Sequence, residues 1–214
     1  MTVLFRKNGN TKRATNHEVH NESINKMNFE TDIEQCLKTL SDGGLILYPT
    51  DTVWGIGCDA TNEKGVEKIY SLKKRPDEKA MIVLVAEEKD VLQYTAAPDL
   101  AVFDYLQKAN RPTTVIYEGA IGLAANLVAA DGSIAIRICK EPFCKQLIKR
   151  FRKPIVSTSA NISGSAVAGS FIDISTEIKK EMDYIVQYRQ DDTIAAFPSS
   201  LIRWYHGQIE VLRP

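Results

Sequence analysis

Residues 43–57 read GGLILYPTDTVWGIG, and this stretch decides the fold class. Two glycines end the helical pattern before it, and LILY (45–48) is apolar throughout, as in a strand buried on both faces. The strand runs directly into Pro49, an acid and two threonines, with Trp54 and two glycines behind them. Either this is an ordinary turn under a packed aromatic residue, or a small polar ligand binds at the end of a core strand.

Amphipathic helices and apolar strands alternate on both sides of this stretch. Helical periodicity begins at Phe29, after Asn62, near Pro98 and at Pro142, where a proline suits the first helical turn. This alternation predicts an α/β domain whose sheet is covered on at least one face. Further strands are predicted at residues 81–85, 113–117, 133–138, 154–161 and 184–188, a further helix at 173–182, and a hairpin at 201–212.

Residues 1–27 differ from the rest of the chain because they are polar and lack periodicity. They carry five lysines or arginines against two glutamates. We interpret them as a flexible N-terminal extension ahead of a single domain at residues 28–214. A basic arm that contacts RNA is the alternative, and Met27 is a second candidate for the physiological start.

The composition excludes several classes of protein. Lysine plus arginine equals aspartate plus glutamate at 27 each among 214 residues, so no strong global field attracts nucleic acid or a membrane. Four cysteines without a CxxC pair, beside three histidines, predict reduced thiols in the cytoplasm and no metal site. No apolar run approaches the roughly 18 residues of a membrane span.

The sequence contains neither GxxxxGK[ST], GxGxxG nor GxSxG, so the common nucleotide and hydrolase signatures are missing. Instead, three polar clusters adjoin predicted strands, at residues 49–52, 73–79 and 157–161. In α/β sheets ligands bind beyond the carboxyl ends of strands. These three clusters are therefore the candidate site.

The cluster at residues 73–79 holds four cations in seven positions. Either it is a solvated helix end, or the repulsion among its cations is relieved by a polyanion. On an extended segment Lys73 and Arg75 would point the same way and clamp one phosphate chain.

The cluster at residues 157–161 is rich in small hydroxyls and ends in Asn161. Such groups suit a ligand with both carboxylate and phosphate, although they are also ordinary turn residues. Ser159 has no nearby base in the sequence, so we interpret it as a hydrogen-bonding group and not a nucleophile. Arg137, inside the apolar SIAIRI, has either a structural acidic partner or a ligand carboxylate.

PTDTVWGIG, LKKRP, SIAIR and STSANISG, in this order and spacing, resemble the YrdC/TsaC family of threonylcarbamoyl-AMP synthases. The resemblance runs from about residue 30 to the end and fits the short, single-domain members. A sister branch, the YciO-like proteins, lacks the Lys-x-Arg and Ser-x-Asn pattern found here at Lys73/Arg75 and Ser159/Asn161.

This resemblance implies a twisted, open, mixed sheet with flanking helices and a concave basic cavity. It also implies that L-threonine, bicarbonate or CO2, and ATP with Mg²⁺ yield threonylcarbamoyl-AMP and pyrophosphate. Partner proteins, a downstream threonylcarbamoyl-transferase complex, would then modify tRNA, and direct contact with tRNA or double-stranded RNA stays open. The alternative is a non-catalytic RNA- or nucleotide-binding module on the same fold.

The resemblance also assigns roles to individual residues. The catalytic set is Lys73, Arg75, Ser159 and Asn161; the threonine contacts are Thr52, Arg137 and Ser157; the ATP contacts are Arg75, Lys79, Ser133, Ser159 and Arg213; no metal ligand is implied. Leu84 and Val167 depart from the longer members, which have a histidine and a small hydroxyl there. Gly55 and Gly57 are expected to let the backbone pass close to the ligand.

Overall fold

The computed structural model describes residues 29–74, 81–205 and 207–214, which form a mixed nine-stranded sheet with helices packed against it. Along the sheet the strands follow the order β7-β1-β2-β6-β3-β5-β4-β8-β9. Parallel pairing joins β1 to β7, β3 to β5 and β4 to β8, and the other neighbours are antiparallel. The strands are β1 (Ile46–Tyr48), β2 (Gly55–Gly57), β3 (Ile82–Val85), β4 (Thr113–Tyr117), β5 (Ile134–Ile138), β6 (Ile155–Ser159), β7 (Tyr184–Ile185), β8 (Ser200–Tyr205) and β9 (Gln208–Arg213).

Side-chain hydrogen bonds and a proline mark the starts of two of the helices. Asn62 caps the helix Glu63–Lys73 by accepting hydrogen bonds from the amides of Lys64 and Gly65. In the helix Pro142–Phe151, Pro142 occupies the first turn and the Glu141 side chain accepts from the Cys144 amide. The helices are α1 (Glu30–Ser41), α2 (Glu63–Lys73), α3 (Glu88–Tyr94), α4 (Ala101–Lys108), α5 (Pro142–Phe151) and α6 (Thr176–Lys180), with a 3₁₀ turn at Ala125–Leu127.

The predicted mixed α/β fold with flanking helices is confirmed. Each predicted strand and helix overlaps an observed one, and the C-terminal hairpin is present as β8 and β9. Three elements have no counterpart among the predictions: the short helix α3, the three-residue strand β2 and the 3₁₀ turn at Ala125–Leu127. The N-terminal extension at residues 1–27 lies outside the described residues and stays a prediction.

Within the described residues, no helix combines the length and apolarity that crossing a membrane requires. The four cysteines are all buried free thiols. The described residues also contain no group of three or more histidine, cysteine, aspartate or glutamate side chains arranged to hold a metal ion.

Gly57 is required by packing inside the sheet. A Cβ atom there would lie 2.6 Å from the Tyr48 ring and 2.7 Å from the Val156 carbonyl oxygen. The backbone that comes close at Gly57 is thus the neighbouring strand, whereas Gly55 does line the cavity described below.

We expect Gly57→Ala to lower the free energy of unfolding by about 1–3 kcal/mol, because neither neighbour can move without disturbing the sheet. Urea unfolding measures this change. Gly169→Ala is the control, since a Cβ atom there meets nothing closer than 3.7 Å. An equal loss in both variants would contradict the packing argument.

Candidate active site

A cavity of about 300 Å³ opens over the middle of the sheet. Its floor follows the strand register, because Ser157 pairs with Ile82, Ile82 with Ala135, and Ala135 with Ile116. These four residues all line the cavity and belong to β6, β3, β5 and β4. The sheet therefore brings four strands distant in sequence to one concave surface.

Five predicted site residues line this cavity together. One comes from the stretch before β2, one from β5, two from β6 and one from the end of β9. They are Thr52, Arg137, Ser157, Ser159 and Arg213. A volume of this size is at the lower end of the range for small-molecule sites.

Arg137 is the buried cation of the cavity, with 3% of its surface exposed. Its Nη2 atom lies 3.2 Å from Asp51 Oδ1, so the structural acidic partner considered from the sequence exists. This contact is an ion pair without hydrogen-bond geometry, because Asp51 Oδ1 has no hydrogen-bond partner among the described residues. The buried Arg137 Nε atom also has no such partner there. The guanidinium thus has an acidic neighbour and still retains an unused donor.

Arg213 supplies a second positive charge at the C-terminal end of β9. Its Nε atom donates to the Ser199 carbonyl at 2.9 Å, and Nη2 lies 3.4 Å from the Ser199 hydroxyl. Burial lowers the pKa of Arg213, and the charges of Arg137 and Arg111 lower it further. Because this arginine still carries its proton at neutral pH, the cavity contains neighbouring cations that an anionic ligand would stabilise.

Lys73 lies at the end of α2 beneath the turn that follows β6. It is 1% exposed, and its Nζ atom donates to the main-chain carbonyls of Ser159 at 2.5 Å and Asn161 at 2.6 Å. Lys73 is therefore not part of a solvated helix end. Its charge holds the backbone of the polar turn and is not among the groups lining the cavity.

Ser159 and Asn161 form a local network around this turn. The Ser159 hydroxyl donates to Asn161 Oδ1 at 2.6 Å, while Asn161 Nδ2 donates to the carbonyls of Ile162 and Ser165. The Ser159 proton is thus used within the turn. This arrangement suits a hydrogen-bond acceptor and provides no base that would activate a nucleophile.

Ser133 lies in a neighbouring depression of about 440 Å³ that shares Ile116 with the cavity. It precedes β5 by one residue, and its amide donates to Asp131 Oδ1 at 3.0 Å. Alternation along the strand puts Ser133 on the same face as Ala135 and Arg137. Ser133 and the cavity therefore belong to one side of the sheet.

Two predicted ATP contacts, Arg75 and Lys79, lie outside the described residues and stay predictions. Of the two positions that depart from the longer members, Val167 lines the cavity and is 40% exposed. Leu84 is fully buried and pairs in register with Arg137. Leu84 is also not among the residues that line the cavity.

Sequence reasoning missed several parts of the site. Ser199 orients Arg213, and Thr50 links Thr52 to Arg137, yet only the position of Thr50 in the first polar cluster gave any signal. Trp54 packs against Phe171 at a centroid distance of 4.9 Å and also lines the cavity.

The sequence of the chain matches a known family over most of its length. The profile of the Sua5_yciO_yrdC family, described as telomere recombination, covers residues 38–214. The chain belongs to this family. A protein of Saccharophagus degradans named threonylcarbamoyl-AMP synthase is 37% identical over 157 residues, which are 70% of this chain and 78% of that protein.

Solved structures of the same family agree with the fold. P. abyssi Sua5 complexed with L-threonine superposes with a TM-score of 0.76 at 21% identity, covering 85% of this chain and 53% of Sua5. E. coli YciO gives a TM-score of 0.73 at 22% identity, covering 85% of this chain and 87% of YciO. This chain spans about half of Sua5, and at these identities the structural likeness supports the fold alone.

Proposed function

We propose that this protein is an L-threonylcarbamoyladenylate synthase, a nucleotidyltransferase that joins L-threonine, bicarbonate or CO2, and ATP. The observation that carries the proposal is the convergence of Thr52, Arg137, Ser157, Ser159 and Arg213 on one cavity. The name carried by the relative in Saccharophagus degradans supports it. E. coli YciO resembles this chain in fold almost as closely as Sua5, so fold alone does not select the synthase.

The amino-acid end of the cavity lies around Arg137, Thr52 and Ser157. Arg137 lines the cavity, and a guanidinium suits a carboxylate, which it binds through two parallel hydrogen bonds. Thr52 and Ser157 line the same cavity, and their hydroxyls suit the polar groups of L-threonine. This end therefore has the donors and acceptors that an α-amino acid requires.

The nucleotide end extends from Ser159 and Arg213 toward Ser133, with Arg75 and Lys79 as further proposed contacts. Mg²⁺ would enter with ATP, because the phosphates and water supply most of its ligands in such sites. Lys73 and Asn161 would act by holding the turn that presents Ser159.

The proposed chemistry proceeds in two steps without a covalent enzyme intermediate. The threonine nitrogen attacks CO2, and loss of a proton from nitrogen leaves a carbamate. A carbamate oxygen then attacks the α-phosphorus, and the bond to the bridging oxygen breaks to release pyrophosphate. Fixed cations stabilise the charge that develops on the phosphate oxygens, and a cavity shielded from water protects the labile carbamate.

The product would be consumed by a threonylcarbamoyl-transferase complex that modifies tRNA, in the cytoplasm. A direct contact with tRNA or double-stranded RNA belongs to the same proposal. RNA affinity would then fall steeply as the salt concentration rises, because contacts with phosphates release counterions. A non-catalytic RNA- or nucleotide-binding module would show that dependence and ignore threonine.

Pyrophosphate release by the purified protein tests the proposed function. We expect release to require ATP, L-threonine and bicarbonate together, and to stop when EDTA removes the divalent ion. Mass spectrometry should identify threonylcarbamoyl-AMP in the complete reaction alone. Release without threonine, or no release at all, would contradict the proposal, and tRNA titration at several salt concentrations would then examine the alternative.

A further inference from the structure

Thr50 is 1% exposed, and its hydroxyl contacts Thr52 and Arg137, two residues that line the cavity. The same hydroxyl contacts the carbonyl oxygen of Val53 at 2.8 Å. A carbonyl oxygen cannot donate, and a hydroxyl has a single proton. The Thr50 proton must therefore point to Val53.

The direction of the Thr50–Val53 hydrogen bond determines the direction of the next one. Thr50 Oγ1 and Thr52 Oγ1 lie 2.9 Å apart, a contact in which either oxygen is chemically able to donate. Because Thr50 has no second proton, Thr52 must be the donor. The Thr52 amide also donates to Thr50 Oγ1 at 3.0 Å, and Arg137 Nη2 approaches it at 3.5 Å. A hydroxyl oxygen has two lone pairs, and the Thr52 hydroxyl and the Thr52 amide, the two nearer donors, use both of them. At 3.5 Å the Arg137 contact is too long to add a full hydrogen bond.

We propose that Thr50 is a positioning residue that makes the Thr52 hydroxyl a hydrogen-bond acceptor toward the cavity. With its proton turned to Thr50, Thr52 presents only lone pairs to a ligand. The site then selects a molecule that has an N–H donor beside a carboxylate able to reach Arg137. This inference rests on the proposed function for the identity of that molecule, L-threonine.

The arrangement has a consequence for the proposed reaction. An amine that donates one N–H to Thr52 cannot rotate freely, so its lone pair is held in one direction for attack on CO2. The carbamate formed retains one N–H, which can keep the same hydrogen bond. The Thr50 backbone is held as well, because Arg189 Nη1 donates to its carbonyl at 3.2 Å.

Three variants test this role through the steady-state kinetics of pyrophosphate release. Thr50→Val keeps the shape of the side chain but frees the Thr52 proton, which can then face the substrate amine. We expect its KM for L-threonine to rise about 10-fold or more, the effect of losing one hydrogen bond, with the KM for ATP within about twofold. Thr50→Ser, which retains the hydroxyl, should restore a KM for threonine close to the wild-type value.

Thr95→Val is the matched control for the loss of a buried hydroxyl. Thr95 is 2% exposed and donates to the Val91 carbonyl at 2.8 Å, away from the residues that line the cavity. We expect it to lose stability without a change in either KM. An unchanged KM for threonine in Thr50→Val, or an equal rise of both KM values, would overturn the proposal.

Neutron diffraction from crystals exchanged into D2O tests the hydroxyl directions without any substrate. We expect the Thr52 deuteron between the two threonine oxygens and the Thr50 deuteron toward Val53. A Thr52 deuteron that points into the cavity would overturn the inference whatever the enzyme's activity. The expected positions in a protein that fails to bind threonine would support the role of Thr50 and count against the proposed function alone.

Discussion

Replacement of Arg137 by methionine is expected to lower kcat/KM for L-threonine by about 100-fold or more. Each hydrogen bond to a charged group contributes about 1.5–3 kcal/mol, and a carboxylate held by two of them loses both. ATP binding should change much less, because Arg213 and the proposed phosphate contacts remain. Steady-state kinetics together with calorimetric titration of threonine would measure the two effects separately.

Arg137→Met should also destabilise the fold, because Asp51 would lose its only ion-pair partner in the described residues. Removing one member of a buried ion pair lowers the free energy of unfolding by about 3–5 kcal/mol. The double variant Arg137→Met with Asp51→Asn removes both charges and should recover much of this stability. It should recover none of the threonine affinity, which separates the binding role of Arg137 from its structural role.

Arg150→Met is a suitable control for the loss of an arginine that pairs with an acid. Arg150 and its partner Glu30 are both exposed. We therefore expect Arg150→Met to lower the free energy of unfolding by about 0–1 kcal/mol and to leave the kinetics unchanged. Threonine binding of wild-type strength in folded Arg137→Met would refute the assignment of the carboxylate to Arg137.

Replacement of Lys73 by methionine is expected to affect both stability and catalysis. Two carbonyls would lose a charged donor in a buried place, which costs about 2–4 kcal/mol of unfolding free energy. Without that donor the turn from Ser159 to Asn161 loses its support. We expect adenylate formation to fall by about 100-fold, with the KM for ATP raised more than the KM for threonine.

Lys68→Met provides the control on the same helix. Lys68 also donates to a main-chain carbonyl, that of Gly43 at 3.0 Å, but the bond is exposed to solvent. This variant should melt within a few degrees of the wild type and retain full activity. Normal turnover by Lys73→Met, measured where it is still folded, would show that the turn does not depend on the lysine.

Local chemistry made much of the fold predictable. The strand at residues 113–117 has the predicted bounds, and the helix predicted to follow Asn62 begins at Glu63. By contrast, β2 was missed because Gly55 and Gly57 have low strand propensity. The strand forms because it pairs on both sides, with Tyr48 in β1 and with Ser159 in β6.

The sequence by itself determined the alternation of elements, their caps and the polar clusters at the strand ends, because each depends on residues close together in the chain. Only the tertiary structure decided that Thr52, Ser157 and Arg137 share one cavity, since that requires the pairing of strands distant in sequence. Lys73 illustrates the same limit, because a helix-end lysine looks solvated until the turn after β6 encloses it. The direction of the Thr52 hydroxyl follows from contacts within residues 50–53, which are close in the chain but form only in the backbone conformation that the fold gives this turn.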